Sequence, residues 1–290
     1  MTIDYTALKN RRFEPIRHTY TERDAMFYAL AIGVGSDPTD ERELGFVYEP
    51  GLKAFPTLAV ILAYPGFWMQ AADSGIDWVR VVHGEERVRW HAPIAPAGTV
   101  VSTHRVAHVI DKGRDRGALV VIEKQLSDAV SGTLLATVEH VTFCRGDGGY
   151  ARTPADSDVG LVPLAATPEG APDSVCELPT IKQAALFYRL CADMNPLHAD
   201  PAVARAAGYP APILHGLASY GTVAHAVLRT YCGYTPSALR SFSARFSAPV
   251  YPGETIRTEM WRDGTRVRFR ARVVERDVLV LSHGLAELAA

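Results

Sequence analysis

The sequence predicts an α+β protein built from one structural unit used twice, each unit a helix followed by an antiparallel meander of strands. Three observations carry this. In both halves, segments of helical period precede segments in which apolar and polar residues alternate with the two-residue period of a strand. A stretch from about residue 145 to 179, filled with Ala, Pro, Asp and Gly, separates the halves. Short matches recur across it at nearly one offset: Thr-x-x-(Asp/Gln)-Ala at 21–25 returns at 180–184, Tyr28 and Tyr188 stand 160 residues apart, and Ala92-Pro93 returns 156 residues later as Ala248-Pro249. The first unit is assigned to 1–150, a linker to 151–178 and the second unit to 179–290.

In the first unit, residues 21–32 (TERDAMFYALAI) read as a helix with Thr21 as N-cap and Asp24 in the first turn, where its charge suits the helix dipole. Gly33 stops it, and Gly35-Ser36-Asp37-Pro38 reads as a turn. Residues 55–70 are apolar but punctuated by Pro56 and Pro65, so their class stays open. Residues 79–90 read as a strand, within which His83-Gly84 suggests a bulge or a close approach of backbone. Residues 98–110 and 118–126 flank a polar turn at 111–117, and 133–143 supplies another strand. Gly146-Asp147-Gly148-Gly149 opens the Ala-, Pro-, Asp- and Gly-rich stretch and is weak evidence for phosphate binding, because no Gly-Lys-Ser/Thr follows.

In the second unit, residues 180–190 (TIKQAALFYRL) read as a helix with Thr180 as N-cap. Pro196 biases Asn195 away from the α region, so this helix should end about there. Asp200-Pro201 reads as an N-cap followed by proline at the first helical position, and Gly208 closes that helix. From Gly216 to about Cys232 the chain is rich in Ala, Leu, Val, Ser and Thr without proline, which suits a largely buried helix. Residues 240–246, 254–262, 265–274 and 278–287 are strand-like, with Asp263-Gly264 as a hairpin turn. Arg266, Arg268, Arg270 and Arg272 alternate with Val267, Phe269, Ala271 and Val273, so the arginine row reads as a solvated face rather than a ligand site.

The candidate chemistry sits at Asp193-Met194-Asn195-Pro196-Leu197-His198, where a carboxylate, an amide and an imidazole fall on a bend. Gly216, at the start of the buried helix, offers unpaired amide hydrogens that favour developing negative charge. An acid/base pair next to an anion-stabilising helix start is what an active site needs. Taken alone, Asp-x-Asn-Pro is also an ordinary helix-ending turn. A metal reading of Asp193, Asn195 and His198 is weaker, since no second His or Cys stands at ligand spacing. At the 160-residue offset Asp193 corresponds to Gly33 and His198 to Pro38, so the first unit lacks the pair and reads as binding and architecture.

A net charge of −2 and a pI near 6.6 argue against a nucleic-acid binder that works through a basic field. The cysteines Cys144, Cys176, Cys191 and Cys232 have neither pair nor metal spacing, which fits a reducing compartment. The first residues lack the apolar core of a signal peptide and no stretch approaches membrane-spanning length, so a cytoplasmic protein without membrane association is expected.

Tyr188 to His198, followed by Ile213-Leu214-His215-Gly216-Leu217, resembles the signature of the (R)-specific enoyl-CoA hydratases, or hydratase 2, of the MaoC-like hot-dog superfamily. The likeness extends over Phe46 to Tyr48, Pro56-Thr57, His83-Gly84-Glu85, Asp111-Lys112-Gly113, Arg245-Phe246 and Pro249-Val250-x-Pro-Gly253. The resemblance implies a double hot-dog, two antiparallel sheets each wrapped around a central helix, and a homodimer of such subunits. It implies reversible hydration of a trans-2-enoyl-CoA to a (3R)-3-hydroxyacyl-CoA with no metal or other cofactor, coenzyme A being part of the substrate. The family's acid/base pair falls on Asp193 and His198, its oxyanion donor on the amide of Gly216, and its acyl-CoA contacts on His83, Gly84, Lys112, Asn195 and Phe246. Rival readings are a biosynthetic 3-hydroxyacyl dehydratase and a non-catalytic acyl-CoA-binding hot-dog protein. One departure stands inside the motif: Ala192 replaces the family's glycine before the aspartate, which matters if that backbone needs positive φ.

Overall fold

The computed structural model describes residues 3–290; residues 1 and 2, at the end where no signal peptide is expected, lie outside the described residues. In the first half the strands are β1 (Ile16–Tyr20), β2 (Val81–Trp90), β3 (Gly98–Asp111), β4 (Ala118–Asp128) and β5 (Leu134–Cys144). In the second they are β6 (Ser174–Pro179), β7 (Leu239–Phe246), β8 (Thr255–Asp263), β9 (Arg266–Val273) and β10 (Val278–Leu288). The helices are α1 (Tyr5–Lys9), α2 (Glu22–Ala31), α3 (Glu41–Leu44), α4 (Leu58–Ile61), α5 (Ala184–Cys191), α6 (Pro201–Ala206) and α7 (Gly216–Tyr231).

The double hot-dog has its two sheets fused into one ten-stranded antiparallel sheet of order β1-β3-β4-β5-β2-β7-β10-β9-β8-β6. Read from either end the order is the same once β1 to β5 are exchanged for β6 to β10, so the duplication is a pseudo-twofold relation. Its centre is the β2·β7 pairing, from Glu85 opposite Arg245 to Arg89 opposite Ser241. Equivalent side chains on α2 and α5 meet each other there: the rings of Phe27 and Phe187 lie 5.9 Å apart, and those of Tyr28 and Tyr188 lie 6.1 Å apart.

The halves differ in their central helix. α7 runs 16 residues and is buried from Ala218 to Leu228, with Tyr220 Oη donating to Phe242 O at 2.6 Å. At a 158-residue offset its counterpart is α4, which stops after 4 residues. The buried ammonium of Lys124 closes that end, donating to the carbonyls of Ala59, Val60 and Leu62 at 2.8, 2.9 and 3.0 Å. A cation there satisfies the orphan carbonyls of the last turn and meets the negative end of its dipole.

Several expectations hold in detail. Thr21 and Asp24 form a capping box, and the alternating arginines of β9 face outward while Val267, Phe269, Ala271 and Val273 are buried. The register of β2 on β5 shifts between His83 and Glu85, and a Cβ on Gly84 would lie 3.2 Å from Val141 O, so the glycine permits the close approach at this bulge. Gly148 packs so tightly on the 111–117 turn that its Cβ would meet Gly113 O at 2.2 Å, a structural reason for that glycine cluster.

Others are corrected. Thr180 does not cap a helix: its hydroxyl donates to Glu254 O at 2.8 Å and accepts from the Gly253 amide at 2.9 Å, and α5 begins only at Ala184. At its other end α5 stops at Cys191, beside the Leu190 expected, because Ala192 leaves helical geometry. The edge strands β1 and β6 were not expected, and β6 lies inside the stretch read as linker.

Candidate active site

The bend after α5 is folded by its own polar side chains. Asp193 Oδ1 accepts from the Asn195 amide at 2.9 Å, and Asn195 Oδ1 accepts from the Leu197 amide at 3.0 Å. These Asx turns compete successfully with further helix, and Pro196 then opens a single 3₁₀ turn that carries His198 inward. Ala192 has φ −140°, so no positive-φ strain attends alanine at that position.

His198 is buried, and its Nδ1 lies 2.8 Å from Ile213 O. A carbonyl only accepts, so Nδ1 carries the hydrogen and Nε2 is left with its lone pair free. Burial pushes the ring's pKa below 6.5, against the opposing pull of the Ile213 carbonyl and the Asp193 charge. His198 is therefore neutral near pH 7.

His215, the residue before α7, stacks on His198 with centroids 3.7 Å apart and planes 26° apart. Its Nε2–H donates to Asp193 O at 3.0 Å, pinning the bend to the start of the central helix. Burial, then the neighbouring His198, hold its pKa down to about 4. The donor atoms of Asp193, His198 and His215 lie within 4.8 Å of one another.

Gly216 follows as the first residue of α7. Among the described residues its amide donates to no protein acceptor, whereas the amides of Ala218 and Ser219 both donate to His215 O. A Cβ on Gly216 would come within 3.2 Å of the Phe246 ring. That ring in turn packs on His83, with centroids 4.3 Å apart. The end of β7, the bulge of β2 and the start of α7 therefore meet beside the bend.

At the bulge, His83 Nε2 lies 3.0 Å from Glu86 Oε2 and 3.2 Å from Glu85 O, and His140 Nδ1 lies 3.0 Å from the same Glu86 oxygen. Burial alone would raise the Glu86 pKa, but hydrogen bonds from His140 and His83 outweigh it and bring it down to about 2. Burial, with His140 beside it, pushes His83 down to about 4.

The donor sets Asp193/His198/His215 and His83/Glu86/His140 are the clusters that approach metal-ligand spacing among the described residues. In each, the imidazoles lie nearly face to face, 3.7 and 3.8 Å apart at 26° and 33°. In the second set the ring nitrogens His83 Nε2 and His140 Nδ1 are both engaged by Glu86 Oε2, each at 3.0 Å.

The chain's similarity to known proteins agrees with this geometry. Residues 163–283 match the MaoC like domain, and residues 18–146 match the MFE-2 hydratase 2 N-terminal domain. An enoyl-CoA hydratase of Mycobacterium tuberculosis is 34% identical, over 98% of this chain and 98% of that protein. The chain belongs to the MaoC-like enoyl-CoA hydratase 2 family. A peroxisomal enoyl-CoA hydratase 2 of Arabidopsis thaliana is 35% identical over 92% of this chain and 89% of its own length. The crystal structure of a MaoC-like dehydratase from Phytophthora capsici superposes with a TM-score of 0.87 at 31% identity, covering 99% of each chain.

Of the residues marked from sequence, the fold joins Asp193, His198, Gly216, Phe246, His83 and Gly84 through direct contacts or chain adjacency. Asn195 stands on the same bend but spends its side-chain oxygen on Leu197. Lys112 is exposed in the β3–β4 turn, where its amide donates to Gly117 O at 3.0 Å, and no hydrogen bond joins it to this group among the described residues. Sequence reading gave no role to His215, nor to Tyr188, whose ring lies 4.9 Å from His215 and whose buried hydroxyl takes no protein partner. The one available signal for His215 was its place beside Gly216; the 17 residues from His198 to His215 follow no periodicity that would announce a stacked pair.

Proposed function

We propose that this protein is a hydro-lyase that reversibly hydrates trans-2-enoyl-CoA to (3R)-3-hydroxyacyl-CoA in fatty-acid or related acyl-CoA metabolism. The observation that carries the reading is the approach of the Asp193 carboxylate and the imidazole of His198, whose Nε2 is free, within 4.8 Å, beside the unpartnered amide of Gly216. Two acceptors at that spacing fit a single bridging water.

The water donates one hydrogen bond to Asp193 and one to His198 Nε2. Its oxygen bonds to Cβ, the π pair moves to Cα and the thioester oxygen, and the proton taken by the pair is returned to Cα. The other hydrogen stays on the new hydroxyl. General acid/base groups of this kind contribute typically about 10²–10⁴-fold. The enolate charge grows on the thioester oxygen, and the Gly216 amide at the start of α7 stabilises it by about 2.7–4 kcal/mol.

The reaction so written needs no metal, and every step is supplied by side chains and one backbone amide. His83, Gly84, Asn195 and Phe246 are assigned to the acyl-CoA, and Lys112 to a phosphate of its nucleotide end, where a lysine acts as a point charge. A Lys112→Ala variant that loses kcat rather than KM would remove that role. The free thiols of all four cysteines support a reducing compartment, taken here as the cytoplasm, and among the described residues no helix is long and apolar enough to cross a membrane. A homodimer belongs to the same reading, and sedimentation of the full chain tests it. Initial rates over short, long and ring-bearing enoyl-CoA substrates test the function: hydration of at least one at enzymatic rates supports it, and none across the series rejects it.

A further inference from the structure

The inner face of the first half carries polar groups where the second half is apolar. At the 156-residue offset Glu86 corresponds to Phe242, and the residue paired with each across the sheet is His140 in one half and Ala286 in the other. In the second half Tyr220 of α7 covers the spot, its ring 4.8 Å from that of Phe242. In the first half α4 has already ended, and the side chains of His83 and His140 stay 21% and 30% exposed over a Glu86 that is 2% exposed.

The hydrogen positions follow from the partners. His83 Nε2 faces two acceptors, Glu85 O and the Glu86 carboxylate, so it carries the hydrogen and Nδ1 keeps a free lone pair. His140 Nδ1 donates to the same carboxylate oxygen, and its ring stacks on His83 with centroids 3.8 Å apart. A buried carboxylate and a stacked ring thus fix both the tautomer and the orientation of His83, which touches Phe246, the ring against Gly216. Outer partners of this kind set which nitrogen of a histidine is available.

We infer that Glu86 and His140 are positioning residues that hold His83 with Nδ1 toward the substrate, as an acceptor for a hydrogen-bond donor next to the thioester. The inference rests on the hydratase reading. The matching ligand group is a neutral N–H or O–H, and next to the thioester an acyl-CoA offers two: the nearer amide of the pantetheine arm, present in both reaction directions, and the 3-hydroxyl, present only in the hydrated acyl chain.

The test joins a spectrum to kinetics. Nitrogen-15 NMR of histidine-labelled wild-type enzyme near pH 7 should show His83 as the Nε2–H tautomer; finding it as the Nδ1–H tautomer overturns the inference without any variant. Glu86→Met keeps the bulk but not the acceptor, and should raise KM about tenfold with kcat within about threefold of wild type. Glu86→Gln, which keeps one acceptor oxygen, should recover most of that KM. A KM rise in both directions assigns the donor to the pantetheine amide, and a rise only for 3-hydroxyacyl-CoA assigns it to the hydroxyl. Unchanged KM in both directions for folded Glu86→Met contradicts the proposal; should that variant not fold, His140→Phe is read the same way, and the wild-type spectrum still decides. Absence of hydration by wild-type enzyme would sink the hydratase reading but leave the tautomer measurement standing.

Discussion

The Nδ1–H of His198 donates to Ile213 O at 2.8 Å, which leaves the Nε2 lone pair free on a buried ring that approaches the Asp193 carboxylate within 4.8 Å. In the proposed mechanism Asp193 and His198 share one water, so Asp193→Asn and His198→Ala should each lower kcat by about 10²–10⁴-fold. The double variant should lose little more than the worse single, since the groups act as a unit. Steady-state kinetics with a melting curve for each variant checks this. Near-normal turnover in either folded single variant would take that residue out of the chemistry.

The pH dependence follows from the same burial. His198 must be neutral to accept a proton, and its pKa is lowered from 6.5 by desolvation. The base form therefore already predominates at pH 6.5 and is lost as pH falls through the lowered value. A kcat/KM profile should show its acidic limb below pH 6.5; a limb at or above that value contradicts the neutral, buried base.

Gly216 is tested by its neighbour. A Cβ there would sit 3.2 and 3.3 Å from two carbons of the Phe246 ring, so a side chain displaces either the ring or the substrate. Gly216→Val should lower kcat/KM by about 10²–10³-fold with the fold intact by circular dichroism, an effect of the size lost with an oxyanion donor. If Phe246→Leu in the same background restores the rate, packing rather than the amide explains the loss. In a complex with an acyl-CoA analogue, the thioester oxygen should lie about 2.7–3.1 Å from the Gly216 nitrogen. An oxygen bound to a different donor would refute the assignment.

Lys124→Met separates architecture from catalysis. It strips a charged donor from three buried carbonyls at the end of α4. Hydrogen bonds to charged groups contribute about 1.5–3 kcal/mol each, less when shared, so a loss of about 3 kcal/mol in denaturant unfolding is expected. The kcat of the folded fraction should stay within about threefold. Unchanged stability would mean that the ammonium does not close this helix.

The fold and site were legible where local chemistry and tertiary structure agree. Thr21 with Asp24, the bulge at His83-Gly84, the Asp263-Gly264 hairpin and the arginine row of β9 all declare themselves through caps, turns and period. The edge strands β1 and β6 did not, since IRHTY and SVCELP are too short and too exposed to alternate cleanly, and they are strands because β3 and β8 offer them open edges. Thr180 looked like a cap, but its hydroxyl is drawn to the β7–β8 turn, a partner 73 residues away in sequence. The four-residue α4 was equally hidden, because Lys124, which ends it, lies on β4, 62 residues after Leu62. Asp193, His198 and Gly216 could be marked from their motif, whereas the stacking of His215 and the sharing of Glu86 by His83 and His140 exist only once the chain is folded.

The most direct measurement is the product formed from a trans-2-enoyl-CoA by enzyme pretreated with a strong chelator, resolved by chiral chromatography. The account predicts (3R)-3-hydroxyacyl-CoA at a rate equal to that of untreated enzyme, with both activities abolished together in Asp193→Asn. A (3S) product, or a rate that collapses on chelation and returns with added metal, would contradict it.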